Sequence, residues 1–310
     1  MSEPSGTGAD GAGAGEVPAG RPQSALRLGR RTFEPHELLV MAIVNRTPDS
    51  FYDKGATWDE AAALDRVHEV VAAGADILDV GGVAAAPGAP VDVAEEIRRT
   101  VPFVAAVRAA YPDLVISVDT WRHEVATAAC QAGADLLNDT WGGQDPELPA
   151  VAAAFGAGLV CAHAGLQAPR TRPFRVAYTD VTADVLAQVV SLAERAAAAG
   201  VDPARIIIDP AHDFGKNSRH SLEVTRRLAD LAATGWPVLV SVSRKDFIGE
   251  TLGLGVDDRQ TGTLATAAIC AWLGGRVFRV HDVPQTRQVL TMVSAIRGDL
   301  DPEHPVRGLV

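Results

Sequence analysis

Three cysteines in 310 residues, Cys130, Cys161 and Cys270, form an odd and widely spaced set. That set gives neither a disulfide framework nor a zinc-binding spacing. Each lies in an apolar stretch, so all three read as buried free thiols, which fits a reducing, cytoplasmic setting. No apolar run reaches the length of a membrane span, and no early basic-then-apolar segment reads as a secretory signal. Positive charge is also in short supply: 28 Lys and Arg stand against 39 Asp and Glu, a net charge of −11. A surface of that sign excludes wholesale binding to nucleic acid or to an anionic membrane. It leaves room for an anionic small ligand, because a local pocket can be basic on an acidic protein.

The chain does have a large apolar content, 47%, at a length that allows one large α/β barrel or two ordinary domains. Residues 1–30 are rich in Gly, Ala, Ser and Pro without periodicity and read as a disordered tail. Gly6, Gly8 and Gly11 in this tail match G-x-G-x-x-G, but no strand precedes the match and no helix follows, so it carries no nucleotide-binding meaning.

From residue 38 the pattern alternates. Eight short apolar runs, 38–45, 75–81, 114–120, 134–140, 158–163, 206–210, 237–243 and 277–282, each end in a polar or Gly cluster. The runs are rich in Val, Ile and Leu with little alternation, as expected of parallel strands covered on both faces. Amphipathic, Ala-rich stretches separate them at 58–73, 93–110, 123–132, 146–155, 180–199, 221–234, 261–273 and 284–297. Gly74, Gly133, Gly200 and Gly235 follow four of these, where a helix end calls for a left-handed residue. Eight strand–helix units are the count of a (β/α)8 TIM barrel, here expected over 36–300 with a short tail at 301–310. Two loops, 46–57 and 82–91, are long for strand-to-helix connections, and long loops at this face of a barrel are usually lids or binding loops.

A barrel builds its site from the ends of its strands, so one cup would gather the side chains found there. Asp119, Asn138 and Asp209 end strands three, four and six. A carboxylate accepts two parallel N–H bonds and can hold the amidine-like edge of a heterocycle; Asn adds a donor and an acceptor. Lys245, after strand seven, suits a ring carbonyl. Arg279 and His281 lie two apart on strand eight and, with Asn45, suit an anionic group. Any one of these residues alone is explained as a satisfied polar strand end; the coincidence over six strands points to a site.

At this point the sequence resembles the dihydropteroate synthase family. The likeness rests on Met41-Ala-Ile-Val-Asn-Arg-Thr-Pro-Asp-Ser-Phe51, Ile116-Ser-Val-Asp-Thr120, Asn138-Asp-Thr-Trp-Gly-Gly143, Ser243-Arg-Lys-Asp-Phe-Ile-Gly249 and Arg279-Val-His-Asp-Val283, in that order, and runs from about 36 to 298. It implies a TIM barrel that joins a dihydropterin methyl pyrophosphate to para-aminobenzoate in folate synthesis, releasing pyrophosphate. It implies a pterin pocket of Asp119, Asn138, Asp209 and Lys245 and a pyrophosphate site of Arg279, His281 and Asn45. Asn45 would touch Mg2+, Asp53 would order the first loop and the metal site, and Asp53, Lys245 and Arg279 would serve the chemistry. It also implies a homodimer packed through late helices, for which 261–273 with Trp272 and the final helix offer apolar surface.

The second loop departs from that pattern. The family reads Gly-Gly-Glu-Ser-Thr-Arg-Pro-Gly, whereas this chain reads Gly81-Gly82-Val83-Ala84-Ala85-Ala86-Pro87-Gly88. The frame is intact and every polar side chain inside it is gone. The lost hydroxyls and Arg are expected to hold pyrophosphate and close a pocket over the aminobenzoate. Losing one desolvated Arg–phosphate pair costs a few kcal/mol, and each 1.4 kcal/mol is about tenfold in rate. Further changes agree: Ala211-His212-Asp213-Phe214 replaces Gly-Ile-Gly-Phe, with Asp213 adding negative charge near the substrate; Ser241 stands where Gly is usual, and Trp141 where a small Ser is usual. The sequence therefore points to an inactive or impaired dihydropteroate synthase paralogue that keeps its pterin pocket. The alternatives are a working synthase that uses other residues, and a non-catalytic pterin- or folate-binding protein.

Overall fold

The computed structural model describes residues 24–47, 59–165 and 167–308. A short antiparallel hairpin, β1 (Leu26–Leu28) and β2 (Arg31–Phe33), opens it. Eight parallel strands then close into a barrel in chain order: β3 (Leu39–Asn45), β4 (Ile77–Gly81), β5 (Val115–Asp119), β6 (Leu136–Asp139), β7 (Gly158–Ala162), β8 (Ile206–Asp209), β9 (Val238–Val240) and β10 (Gly275–Val280). The last strand pairs with the first, Arg279 opposite Met41. This is the expected TIM barrel, each strand lying within its predicted run except β10, which begins two residues early.

The helices follow for local reasons. Asp59, Asp92 and Asp180 accept backbone N–H bonds at the starts of α1 (Glu60–Ala72), α2 (Val93–Ala110) and α5 (Val181–Ala198). Gly74, Gly133, Gly200 and Gly235 have φ of 90°, 111°, 100° and 84°, the left-handed ends read from sequence. Between these lie α3 (His123–Gln131) and α4 (Leu148–Phe155). The single helix expected over 221–234 is two, α6 (Ser218–Arg226) and α7 (Leu228–Ala232). Asn217 starts α6 early with a capping box, and the chain breaks at Arg227, whose ψ is 23°. A seven-residue helix, α8 (Asp246–Leu252), was not expected. The last pair are α9 (Gln260–Trp272) and α10 (Val283–Arg297).

Two apolar layers hold the barrel. One packs strands against helices; the other fills the interior with Leu39, Met41, Ile77, Val115, Leu136, Val160, Ile207, Leu239 and Val277. Leu26, Leu28 and Phe33 belong to the interior layer, at 0%, 0% and 1% exposure. The hairpin thus plugs the N-terminal end of the barrel, each side chain contributing about 1.5–3 kcal/mol of burial. The buried Arg276 ties it down by donating to Ser24 O, Phe33 O and Glu34 O at 2.8, 2.7 and 2.7 Å. The expected disordered tail is corrected accordingly: residues 24–30 are ordered, and 1–23 lie outside the described residues.

Candidate functional site

Side chains alternate across a strand, so each interior residue predicts the one two positions on. Ile77 is followed by Asp79, Val115 by Ser117 and Asp119, Leu136 by Asn138, Ile207 by Asp209, Leu239 by Ser241 and Val277 by Arg279. The interior is therefore apolar at its N-terminal end and polar at its C-terminal end. The polar tier is the cup the sequence anticipates.

Arg279 is its hub. Its Nε donates to Asp79 Oδ2 at 2.6 Å and its Nη2 to Asp119 Oδ2 at 2.8 Å. Ser117 donates to Asp79 Oδ1 at 2.6 Å, Asn138 Nδ2 to the same carboxylate at 3.3 and 3.4 Å, and Thr140 to Asp119 Oδ1 at 3.1 Å. The Asn138 amide is thus oriented with its nitrogen toward Asp79. Its Oδ1 then points elsewhere, buried and without a hydrogen-bond partner among the described residues. A buried acceptor left unpaired is costly unless a ligand donor completes it. Burial raises the Asp119 carboxyl to about 7, against the opposing pull of Arg279.

The other half of the cup lies at β8 and β9. Asp209, at 2% exposure, accepts from Ala211 N at 2.7 Å; burial raises its pKa while Lys245 pulls it down. Lys245 donates to His212 O, and its ammonium stands 4.7 Å from the centre of the Phe214 ring. Burial lowers its pKa, opposed mainly by Asp213 and Asp209. His281 is joined to Ser243 Oγ through Nδ1 at 2.9 Å and does not share the bonds that Arg279 makes. Asn45 lies at the end of β3, its amide oxygen 3.4 Å from where a Cβ on Gly81 would stand. Asp53 lies outside the described residues, as does 48–58 of the first loop.

Asp213, at φ 70°, stands beside Lys245: burial raises its carboxyl pKa and the Lys245 ammonium opposes this. Its carboxylate accepts from Phe247 N at 3.2 Å, at the start of α8, and from Ser221 Oγ at 3.0 Å, so it anchors two helices. Trp141 is 3% exposed and meets Phe214 and Trp121 edge-on, with ring centres 5.0 and 6.3 Å apart. It forms an aromatic wall over the ends of β5, β6 and β8. Asp79 stands among the chemistry-bearing strand ends of the sequence without a specific role there, and Ser117 and Lys216 are not anticipated. The first two carry the interior parity of their strands. Lys216 gives no such signal: it is 2% exposed and donates to Ala211 O and Phe214 O at 3.2 and 3.0 Å, with its Nζ 2.6 Å from His163 Nδ1. His163 in turn meets Asp184 at 2.8 Å through Nε2. Burial lowers Lys216 to about 7 and, with Lys216 adding to it, His163 to about 4.

Residues 41–281, which run from within β3 to just past the end of β10, match the pterin binding enzyme family. The chain belongs to this family. Among curated proteins it is similar to "Inactive dihydropteroate synthase 2" of Mycobacterium tuberculosis, 61% identical over 275 residues covering 87% of this chain and 86% of that protein. It is 35% identical to the dihydropteroate synthase of Streptococcus pyogenes, over 87% of this chain and all of the other. Among solved structures, Yersinia pestis dihydropteroate synthase in a sulfonamide drug complex superposes with a TM-score of 0.84 at 33% identity, covering 89% of this chain and 100% of that one. The protein is a dihydropteroate synthase homologue. It keeps Asp119, Asn138, Asp209 and Lys245, the four residues that the resemblance expects to read a pterin. The loop 82–91 keeps only its glycine and proline frame.

Proposed function

We propose that this dihydropteroate synthase homologue binds a pterin in its cup and turns over poorly, or not at all, as a synthase. The observation that carries the pterin reading is the Asn138 Oδ1, buried and without a hydrogen-bond partner among the described residues while the amide nitrogen is held by Asp79. A flat heterocycle with adjacent N–H groups supplies a donor for Asn138 and a bidentate edge for Asp119 or Asp209, with Lys245 left for a ring carbonyl. The impairment reading is supported by Val83, Ala84, Ala85 and Ala86, which offer a leaving pyrophosphate no side-chain donor. A dissociative transfer needs that group neutralised as it departs. Arg279, the cation expected there, is engaged with two carboxylates instead. The Mycobacterium tuberculosis relative, 61% identical, is itself named inactive, which supports the same reading.

Mg2+ belongs to this reading as an ion carried in on the pyrophosphate. Asn45 gives one neutral oxygen, which suits a metal that keeps most of its shell in water and phosphate. The apolar faces of α9 and α10, with Ile269, Trp272, Met292 and Ile296 more than half exposed, support a homodimer. The three cysteines are free and buried, in keeping with a cytoplasmic protein. The test is calorimetric titration with a bare pterin. One pterin should bind per chain, and Asn138→Ala should weaken it about tenfold or more. A wild-type protein that takes up no pterin ends this reading. In a strain lacking dihydropteroate synthase, the gene should fail to complement.

A further inference from the structure

The loop 82–91 has lost its own polar side chains, yet it is held in place from outside. Arg170, on the loop that leaves β7, donates from Nε to Ala84 O at 3.1 Å and to Ala86 O at 3.4 Å, from Nη2 to Ala86 O at 3.3 Å, and from Nη1 to Ala89 O at 2.6 Å. One guanidinium thus spans three carbonyls of the degenerate loop. Strands β4 and β7 stand three places apart in the ring of eight. A contact between the loops that leave them must cross the barrel mouth on the side of β5 and β6, whose ends carry Asp119 and Asn138. The base of the Arg170 loop is tied down in turn. Gln167 accepts from Gly215 N at 2.7 Å and Tyr178 donates to Gly215 O at 2.7 Å, which fastens it to the connection after β8. Arg170 itself sits at φ 61°, a region L-residues seldom occupy and hold only where contacts impose it.

We propose that Arg170 is a positioning residue that latches these two loops across the cup, closing it in place of the side chains lost at 83–86. A planar fork with five donors spread over three nitrogens spans carbonyls on separate parts of a loop, whereas the three donors of a lysine ammonium radiate from one point and reach only acceptors gathered around it. A ligand then enters and leaves through the unlatched state, so the latch sets rates in both directions.

Full-length Arg170→Gln and Arg170→Lys test this by amide hydrogen exchange and by stopped-flow binding of a bare pterin. In both variants exchange over 84–90 should rise about tenfold or more, while the barrel strands keep their protection. Association and dissociation rates should rise together, by a larger factor than the dissociation constant moves. A merely structural contribution would lower the thermal midpoint without raising both rates. The kinetic arm rests on the pterin reading; the exchange arm does not. If no pterin binds, that reading fails and exchange alone decides the latch. Unchanged exchange over 84–90 in Arg170→Gln overturns the proposal. So does a full rescue by Arg170→Lys, or pterin rates that stay at the wild-type values.

Discussion

Replacing Arg279 by Met removes the cation that, among the described residues, joins two carboxylates of the cup, Asp79 and Asp119. Asp79 is fully buried and Asp119 retains 20% of its side-chain surface. Breaking a buried ion pair from one side costs about 3–5 kcal/mol, because it strands the other charge. Partial exposure of Asp119 places the expected loss near the lower end, about 3 kcal/mol. That corresponds to a fall in melting temperature of about 5 °C for a chain of this size. The loss should depend on pH, and its sign follows from Asp119. Burial raises this carboxyl to about 7 with Arg279 present. An acid whose pKa is raised on folding contributes least above its folded pKa, so wild-type stability from this group falls as pH rises from about 4 to 7. Without Arg279 the pKa rises further and the fall extends to higher pH. The variant should therefore lose about 3 kcal/mol at pH 8 and roughly half that at pH 5.5, where a protonated Asp119 can donate to Asp79. Urea denaturation of both proteins at the two pH values measures this. Equal losses at pH 5.5 and 8, or a variant as stable as wild type, would refute the claim that Arg279 exists in this site to balance two carboxylates.

The same carboxyl sets the pH profile of binding: pterin affinity should climb about tenfold per unit up to pH 7 and level off above it, and Asp119→Asn should flatten the curve in calorimetric titrations. Adding the methyl pyrophosphate to a bare pterin should gain less than about tenfold in affinity, even with Mg2+, because Arg279 is already paired; a far tighter complex would show that Arg279 and His281 suffice. Grafting Val83→Glu, Ala84→Ser, Ala85→Thr and Ala86→Arg should raise aminobenzoate-dependent pyrophosphate release, since the Arg170 bonds use only backbone carbonyls and survive the change. A graft that leaves release unchanged would move the defect elsewhere, to Asp213 first.

The barrel was legible because its strands are buried on both faces and so read as unbroken Val, Ile and Leu runs. Strand parity carried the site as well: Asp119, Asn138, Asp209 and Arg279 each stand two positions beyond an interior residue. What failed to show was anything set by partners distant in sequence. Arg279 turns onto Asp79 and Asp119, 200 and 160 positions away. No local pattern separates that pairing from an anion site. Asp213 reads in sequence as charge added beside the cup; that it also anchors the starts of α6 and α8 depends on partners no local pattern shows. The hairpin was hidden by the composition around it, although Leu26 and Leu28 already alternate with polar neighbours as a strand buried on one face does. Lys216 and Arg170 act on carbonyls, and carbonyls leave no mark in a sequence.

One calorimetric experiment puts the central claim to the test in a single trace. Dihydropterin methyl pyrophosphate is titrated with Mg2+ into the purified protein while para-aminobenzoate is present in excess. The retained pterin cup predicts discrete binding heats that saturate at one ligand per chain. The lost loop predicts that the signal then returns to baseline, with no continuing heat of turnover. A sustained thermal power after each injection, equivalent to an ordinary enzyme rate of about one per second or faster, would show a working synthase. A flat trace without binding heat would show that the cup does not take a pterin.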